Sequence, residues 1–335
     1  MLTSEVARCR AYNHPDTMIR RLANALRKRA EANALMQSYL RGRRYGKLHA
    51  DPGHFYSPIP SLEDVRAREA KIFAVPPEIA GVDLRAEAQL ALLDELAPFC
   101  REYPFPRERE QQFRYHWSNG FYERVDSMML FALMRHLRPA RVIEIGCGFS
   151  SAVMLDTNEF YLGGETSLTF IDPYPERLKG IVRPSDTIEL HQVDVRDADP
   201  SLLIDLSPGD ILFIDTSHVT KVTSDVNYLF FEILPQLSDG VWVHIHDVFY
   251  PFEYPREWVL EGWAWNEAYL VRAFLQYNDA FEVMLFNNYL RRQHPDRLLP
   301  LLPSDWRDAD WELGSGIWLR KGVSQAETDH HSIAP

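Results

Sequence analysis

The sequence predicts an α/β fold: a largely parallel seven-stranded sheet with helices on both faces, preceded by a mostly helical extension. Three observations predict it. From about residue 139, short β-branched runs alternate with helical patterns, as strands joined by crossover helices do. The first run, Arg141-Val142-Ile143-Glu144-Ile145, gives way to Gly146-Cys147-Gly148 and then at once to the helical pattern of Ala152, Val153 and Leu155. The later runs also end in carboxylates and histidines, at the end of the sheet where open α/β folds bind ligands.

Length and composition set the bounds. With 335 residues, 46% of them hydrophobic, the chain can build one large domain or a domain with an extension. A formal net charge of −12 argues against a general nucleic-acid binder, because neutralising phosphates takes a basic surface. Three scattered cysteines, Cys9, Cys100 and Cys147, give neither a disulfide framework nor a Cys-x-x-Cys knuckle, so a reducing cytoplasm is the simplest home. No apolar run approaches the length of a transmembrane segment, and the N-terminus lacks a signal-peptide core.

Taken in order, residues 1 to about 50 read as one helix and a loop. Met18, Leu22, Leu26, Met36 and Leu40 form a stripe, with Arg20, Arg21, Arg27, Lys28 and Arg29 largely off it. The basic residues read as a solvated face or as a docking surface for an anionic substrate or membrane. Residues 51–60 are broken by prolines and rich in aromatics, and fit either a segment folded over a pocket, with His54 and Tyr56 as polar contacts, or packing filler. Asp83 is positioned to cap a helix carrying Ala86, Leu90, Leu93 and Leu96. A second helix carries Val125, Met128, Met129, Ala132 and Leu137, which places Asn119 and Asp126 toward the ligand end of the sheet.

Strands are expected at 142–145, 168–171, 188–193, 211–214 and 241–245, with 281–286 and 317–319 as a closing hairpin-like pair. An amphipathic helix with Val226, Leu229, Phe230 and Ile233 lies between the fourth and fifth. The division read from this is a mostly helical extension or lid over 1–138, a sheet domain over 139–322 and, from its polar and histidine-rich content, a disordered tail over 323–335.

The glycine turn admits three readings. An ordinary strand–helix turn is one. A dinucleotide fingerprint is another, but it wants a third glycine where Ser151 stands. In the third, Gly146 and Gly148 allow a ligand close to the backbone, and the helix start presents free N–H groups.

The strand ends favour the third reading. Strand two ends in Phe170-Ile171-Asp172-Pro173-Tyr174, strand three in Gln192-Val193-Asp194, strand four in Ile214-Asp215-Thr216-Ser217-His218, and strand five in Ile245-His246-Asp247.

Over roughly residues 115–321 these features resemble the class I S-adenosylmethionine (SAM) methyltransferases, with their Rossmann-like seven-stranded sheet and acid-x-Gly-x-Gly motif. The resemblance implies SAM as cofactor. Glu144, Gly146, Gly148, Ser150 and Ser151 would form the loop beside it, Asp172 would accept from the ribose hydroxyls, and Asp194 from the adenine amino group. The strand-four and strand-five ends resemble the metal-dependent O-methyltransferase branch, which includes catechol-type enzymes and those acting on antibiotic sugars. In catechol-type enzymes an aspartate binds Mg²⁺ and a lysine three residues later is the base. Here Asp215 matches the aspartate and His218 takes the base position, a sensible choice given its ordinary pKa. The chain departs from that branch's Asp-Asn pair, offering His246-Asp247, so a divalent metal would rest on Asp215, His246 and Asp247.

The expected reaction is methyl transfer to a hydroxyl of a glycan, a glycosylated metabolite or a small natural product. Aromatics mixed with polar groups after strand five, among them Tyr250, Trp265 and Glu267, are candidate acceptor contacts. Other readings are a metal-independent N- or C-methyltransferase, a nicotinamide-dependent reductase (which would want a Tyr-x-x-x-Lys dyad) and a SAM-binding protein without catalysis. Oligomeric state is not legible in the sequence.

Overall fold

The structure, a computed structural model, describes residues 49–122, 124–306 and 314–322. The chain divides into two compact units, Met1–Val65 and Arg66–Pro335. The expected basic helix lies largely outside the described residues, as does the 323–335 tail. In the first unit, residues 51–59 fold into tight turns: the Gly53 N–H donates to the Ile59 carbonyl (3.0 Å) and the Ser57 N–H to that of His54 (2.8 Å).

The second unit holds a seven-stranded sheet in the order β3-β2-β1-β4-β5-β7-β6. Its strands are β1 (Arg141–Ile145), β2 (Ser167–Ile171), β3 (Glu189–His191), β4 (Ile211–Ile214), β5 (Trp242–Ile245), β6 (Phe281–Phe286) and β7 (Ile317–Lys321). The first five are mutually parallel, and β7 lies between β5 and β6, antiparallel to both. The closing pair expected from the sequence is thus present, with β6 outermost. Strand β3 is shorter than expected because it is an edge strand whose next residues, Gln192 and Val193, are exposed.

Every residue of β4 and β5 is buried, which is why these strands read as continuous apolar runs rather than alternating ones. The helices supply the cover. In α1 (Ala86–Arg101) Gln89, Leu92, Leu93, Leu96 and Cys100 are buried at helical spacing. Gln89 also joins α1 to the sheet: its amide donates to the Leu84 carbonyl, and its oxygen accepts from the Phe286 N–H (2.8 Å). Asp83 accepts from the Arg85 N–H two residues on (2.9 Å), so it closes the turn before α1 rather than capping the helix itself. Helix α2 (Arg124–Leu137) is buried from Val125 through Met134, which makes it a core element. Helix α3 (Phe149–Tyr161) follows the glycine turn, and the Ser151 hydroxyl reaches back to the Gly148 N–H (3.0 Å) at its start.

Strand β1 lies between β2 and β4, and the chain leaves it toward β2 and returns beside it at β4. That reversal opens the crevice in which open α/β sheets hold ligands. No helix among the described residues is long and apolar enough to cross a membrane.

Candidate active site

The crevice is built first by a steric requirement. Gly146 has φ +80°, and a Cβ on it would overlap the Asp215 carbonyl oxygen at the end of β4. Only glycine allows this approach. The Asp215 N–H in turn donates to the Ile145 carbonyl (2.9 Å), so the end of β4 is stitched to the turn after β1. On the other flank, Asp172 accepts from the Cys147 N–H (2.8 Å) and the Tyr174 N–H (2.7 Å). Asp172 and Asp215 thus bracket one glycine turn at one rim.

Glu144 is brought to the same turn but faces inward. It is fully buried, and the Ser150 and Ser151 hydroxyls bond one to each carboxyl oxygen. Burial pushes its carboxyl up to about 8, against the pull of the two hydroxyls. Glu144, Ser150 and Ser151 therefore hold the turn in shape from below. Asp194 lies at the next strand end but is engaged by Arg196, whose Nε and Nη2 approach to 2.7 and 2.5 Å. This guanidinium, with burial opposing, holds Asp194 below the usual carboxylate range.

Beyond β4 and β5 an acid–imidazole cluster assembles. His218 is at the centre, with Nε2 3.2 Å from Asp215 and 3.8 Å from Asp247, and Nδ1 2.8 Å from Glu267. His246 Nε2 lies 3.7 Å from Asp247. His218 and Asp247 both adopt left-handed backbone conformations (φ 57° and 53°), which aim their side chains at one another from adjacent strands. Asp215 is the open member, its side chain 35% exposed against 6% for His218 and 2% for Glu267.

Burial alone would lower the His218 imidazole, but hydrogen bonds to Asp215 and Glu267 outweigh it and raise the group well above its ordinary value. Burial would raise the Asp215 carboxyl. The His218 hydrogen bond and the charges of His246, His218 and Arg177 reverse this and hold it low. His246 is raised: burial opposes, while Asp247, Asp215 and Asp126 prevail.

Of the expected metal ligands, Asp215 and Asp247 face His218 Nε2 at 3.2 and 3.8 Å, and His246 Nε2 lies 3.7 Å from Asp247. No group of three or more His, Cys, Asp or Glu side chains among the described residues is arranged to hold a metal.

The other candidates are placed as follows. Tyr250 is largely buried, donates its hydroxyl to the Pro76 carbonyl and forms part of the wall of a cavity past β5. Trp265 lies against the His218 ring at 4.3 Å, and Glu267 is 1% exposed behind that ring; both support His218. His54 and Tyr56 belong to the first unit, where His54 Nδ1 accepts from the Tyr56 N–H (3.1 Å). Asn119 closes its own loop, accepting from the Phe121 and Tyr122 N–H groups. Asp126 is buried under the start of β7, bound by Asn287 and Ser315. Sequence reading missed Arg177, whose guanidinium lies 4.0 Å over the Phe121 ring and packs beside Gly148. Nothing in the residue pattern distinguishes it from an ordinary surface arginine. Past β5, a cavity of about 390 Å³ is lined by Phe73, Phe249, Tyr254, Arg256 and Arg292.

Residues 143–248 match the model of a family described as a methyltransferase domain. That segment runs from β1 to just past β5 and contains the glycine turn, Asp172, Asp215, His218 and Asp247. An uncharacterized protein of Archaeoglobus fulgidus is 39% identical over 137 residues, or 40% of this chain; the chain spans 62% of that relative's length. Among solved structures, the SAH-bound methyltransferase PaMTH1 of Podospora anserina is 15% identical (80% of this chain, 99% of that one, TM-score 0.39). The apo structure of CmcI-N160 is 18% identical (81% and 100%, TM-score 0.39). The O-methyltransferase TomG of Streptomyces achromogenes, in complex with SAM, is 16% identical (78% and 96%, TM-score 0.37). These structural likenesses are too distant to bear on chemistry. The matched residues 143–248 thus coincide with the part of the sheet that runs from β1 to just past β5.

Proposed function

We propose that this chain transfers the methyl group of S-adenosylmethionine to a hydroxyl oxygen of a small-molecule acceptor, a glycan or glycosylated metabolite foremost, with His218 as the proton acceptor. The observation that carries this reading is the shared edge. The glycine turn and the Asp215–His218–Asp247 cluster touch through Gly146 and the Asp215 carbonyl, so a cofactor on the turn has an acid–base group beside it. The cofactor supplies an electrophilic methyl on a positively charged sulfur. Asp172, with lone pairs beyond those used by Cys147 and Tyr174, serves the ribose hydroxyls.

A neutral hydroxyl is a poor nucleophile, and a positioned base is worth about 10²–10⁴-fold in rate. His218 performs that role only in its neutral form. Because its carboxylate neighbours raise its pKa, the reaction speeds up as pH rises through that value. Asp215, the exposed member, accepts a hydrogen bond from a second hydroxyl of the acceptor and so orients the one that gives its proton to His218. No step is assigned to a metal. The cavity past β5, with its aromatic walls and two arginines, suits a ring bearing polar substituents.

Titration with SAM, S-adenosylhomocysteine and NADPH, read as thermal stabilisation, tests the cofactor. SAM is expected to stabilise the protein and Asp172→Ala to abolish the effect; stabilisation by NADPH alone would sink the proposal. Mass spectrometry of sugar-glycoside and small-phenol acceptors incubated with SAM then tests the chemistry. Near-normal methylation by His218→Ala would remove the assigned base.

A further inference from the structure

We infer that Glu267 is a positioning residue: it fixes the ring orientation and tautomer of His218 so that Nε2 faces the crevice with a free lone pair when the ring is neutral. This rests on the proposed role of His218 and extends it to a residue outside the matched methyltransferase segment. Glu267 comes from α4 (Glu267–Leu275), which follows the sheet's fifth strand and brings a buried carboxylate behind the imidazole.

Both Glu267 oxygens are committed. Oε2 meets His218 Nδ1 at 2.8 Å, and Oε1 accepts from the Thr216 hydroxyl at 3.2 Å. An ionised carboxylate is acceptor-only, so it holds the proton on Nδ1. The opposite nitrogen, Nε2, points to Asp215 and Asp247. The backbone is clamped as well. The His218 carbonyl accepts from the Asn266 N–H (3.0 Å) and the Glu267 N–H (3.1 Å), the free donors at the start of α4. Asn266 Oδ1 in turn accepts from the Thr220 N–H (2.6 Å) and hydroxyl (3.0 Å). Trp265 closes the ring's face at 4.3 Å. Loop 216–220 carries a left-handed histidine, and these contacts fix it from one helix terminus. A base oriented by a carboxylate through its other nitrogen is a general device, and the wrong tautomer disables it.

The test is NMR of the full chain with ¹⁵N-labelled histidine, in which the His218 signals are assigned as those missing from His218→Asn. In the wild type the neutral His218 ring is expected to carry its proton on Nδ1. Glu267→Gln is expected to let the neutral ring populate the other tautomer, because a side-chain amide can present a donor as well as an acceptor to Nδ1. The groups facing the ring are Asp215, Asp247, Glu267 and, one residue removed, His246; only Glu267 changes. A wild-type ring with its neutral proton on Nε2 would overturn the inference, and this needs no variant to fold. So would a Glu267→Gln protein with unaltered His218 signals. Neither result depends on methyl transfer, so failure here is separable from failure of SAM to stabilise the protein or of His218→Ala to lose activity.

Discussion

Gly146→Ala puts the shared edge under the sharpest test. Two costs fall on one methyl group. At φ +80° an L-residue carries a left-handed penalty of roughly 1–2 kcal/mol. The new Cβ also meets the carbonyl oxygen of Asp215, a residue whose N–H is hydrogen-bonded to Ile145, and forcing apart packed groups of this kind costs typically 1–3 kcal/mol. A total near 3 kcal/mol has two outlets. If the turn keeps its shape, the fold bears the cost, and a midpoint drop of about 6–12 °C is expected for a unit of this size. If the turn moves to relieve the clash, SAM binding bears it, at about 100-fold. Gly148→Ala is the internal control. Its φ is not in the left-handed region, and its nearest neighbour is the end of the Arg177 side chain at 3.3 Å, which can swing aside. Calorimetric titration of SAM together with thermal melts of both variants decides the matter. A Gly146→Ala protein matching Gly148→Ala in both measurements would refute the reasoning.

Further predictions follow from buried charge. Glu144 has a folded-state pKa near 8, above the unfolded carboxyl value, so the folded state holds the proton more tightly; its contribution to stability is present below about pH 4.5 and is lost as pH rises through 8. Glu144→Gln should flatten the fall in denaturation midpoint across that window, and an unchanged slope would count against it. His244 has the opposite sense: buried with neither ring nitrogen bonded, its pKa lies well below 6.5, so its contribution is present above that pH and lost as pH falls. His244→Phe should therefore reduce acid sensitivity below pH 6.5, measured as the pH slope of urea midpoints. Arg114, 1% exposed at its side chain and bound to Asp156, Glu159 and Asp186, should cost about 3–5 kcal/mol when replaced by alanine, because a carboxylate is left buried without its partner. A loss under 1 kcal/mol in urea unfolding would contradict this. Finally, the proposed chemistry rests on His218 as the proton acceptor with no metal step, so methyl transfer should be unaffected by EDTA; a turnover lost to EDTA and restored by Mg²⁺ would overturn it.

Much of the sheet was legible because its central strands are buried on both faces and so announce themselves as continuous apolar runs. The β4 and β5 expectations differ from the observed strands by at most one residue. Legibility failed where tertiary contact overrides local pattern. β3 ends early because an edge strand lacks a second neighbour to keep pairing with. Asp83 has the residue type of a cap, but a left-handed Arg85 (φ 50°) intervenes before the helix. Helix α2 falls within the N-terminal extension or lid read from the sequence, and a chain pattern shows apolar residues without showing what covers them. Its burial from Val125 through Met134 makes it part of the sheet's own core.

The site shows a different limit. Which residues gather at the rim follows from strand order, and Asp172, Asp215, His218 and Asp247 do gather there. Which atom of each side chain faces the ligand does not follow, because that depends on partners distant in the chain. Glu144 reads as a ligand contact by motif, yet two serines six and seven residues on take its oxygens. Asp194 reads as an adenine contact by position, and its partner in the structure is Arg196, two residues on. Glu267 reads as one more polar residue in an aromatic stretch, and its role depends on a 49-residue separation from His218. A carboxylate at such a rim has two uses, meeting the ligand or holding the group that does, and burial separates them. Asp215 remains open while Glu144 and Glu267 are sealed, so substitution of the sealed pair should act through shape, tautomer and proton affinity, and substitution of Asp215 through the acceptor itself.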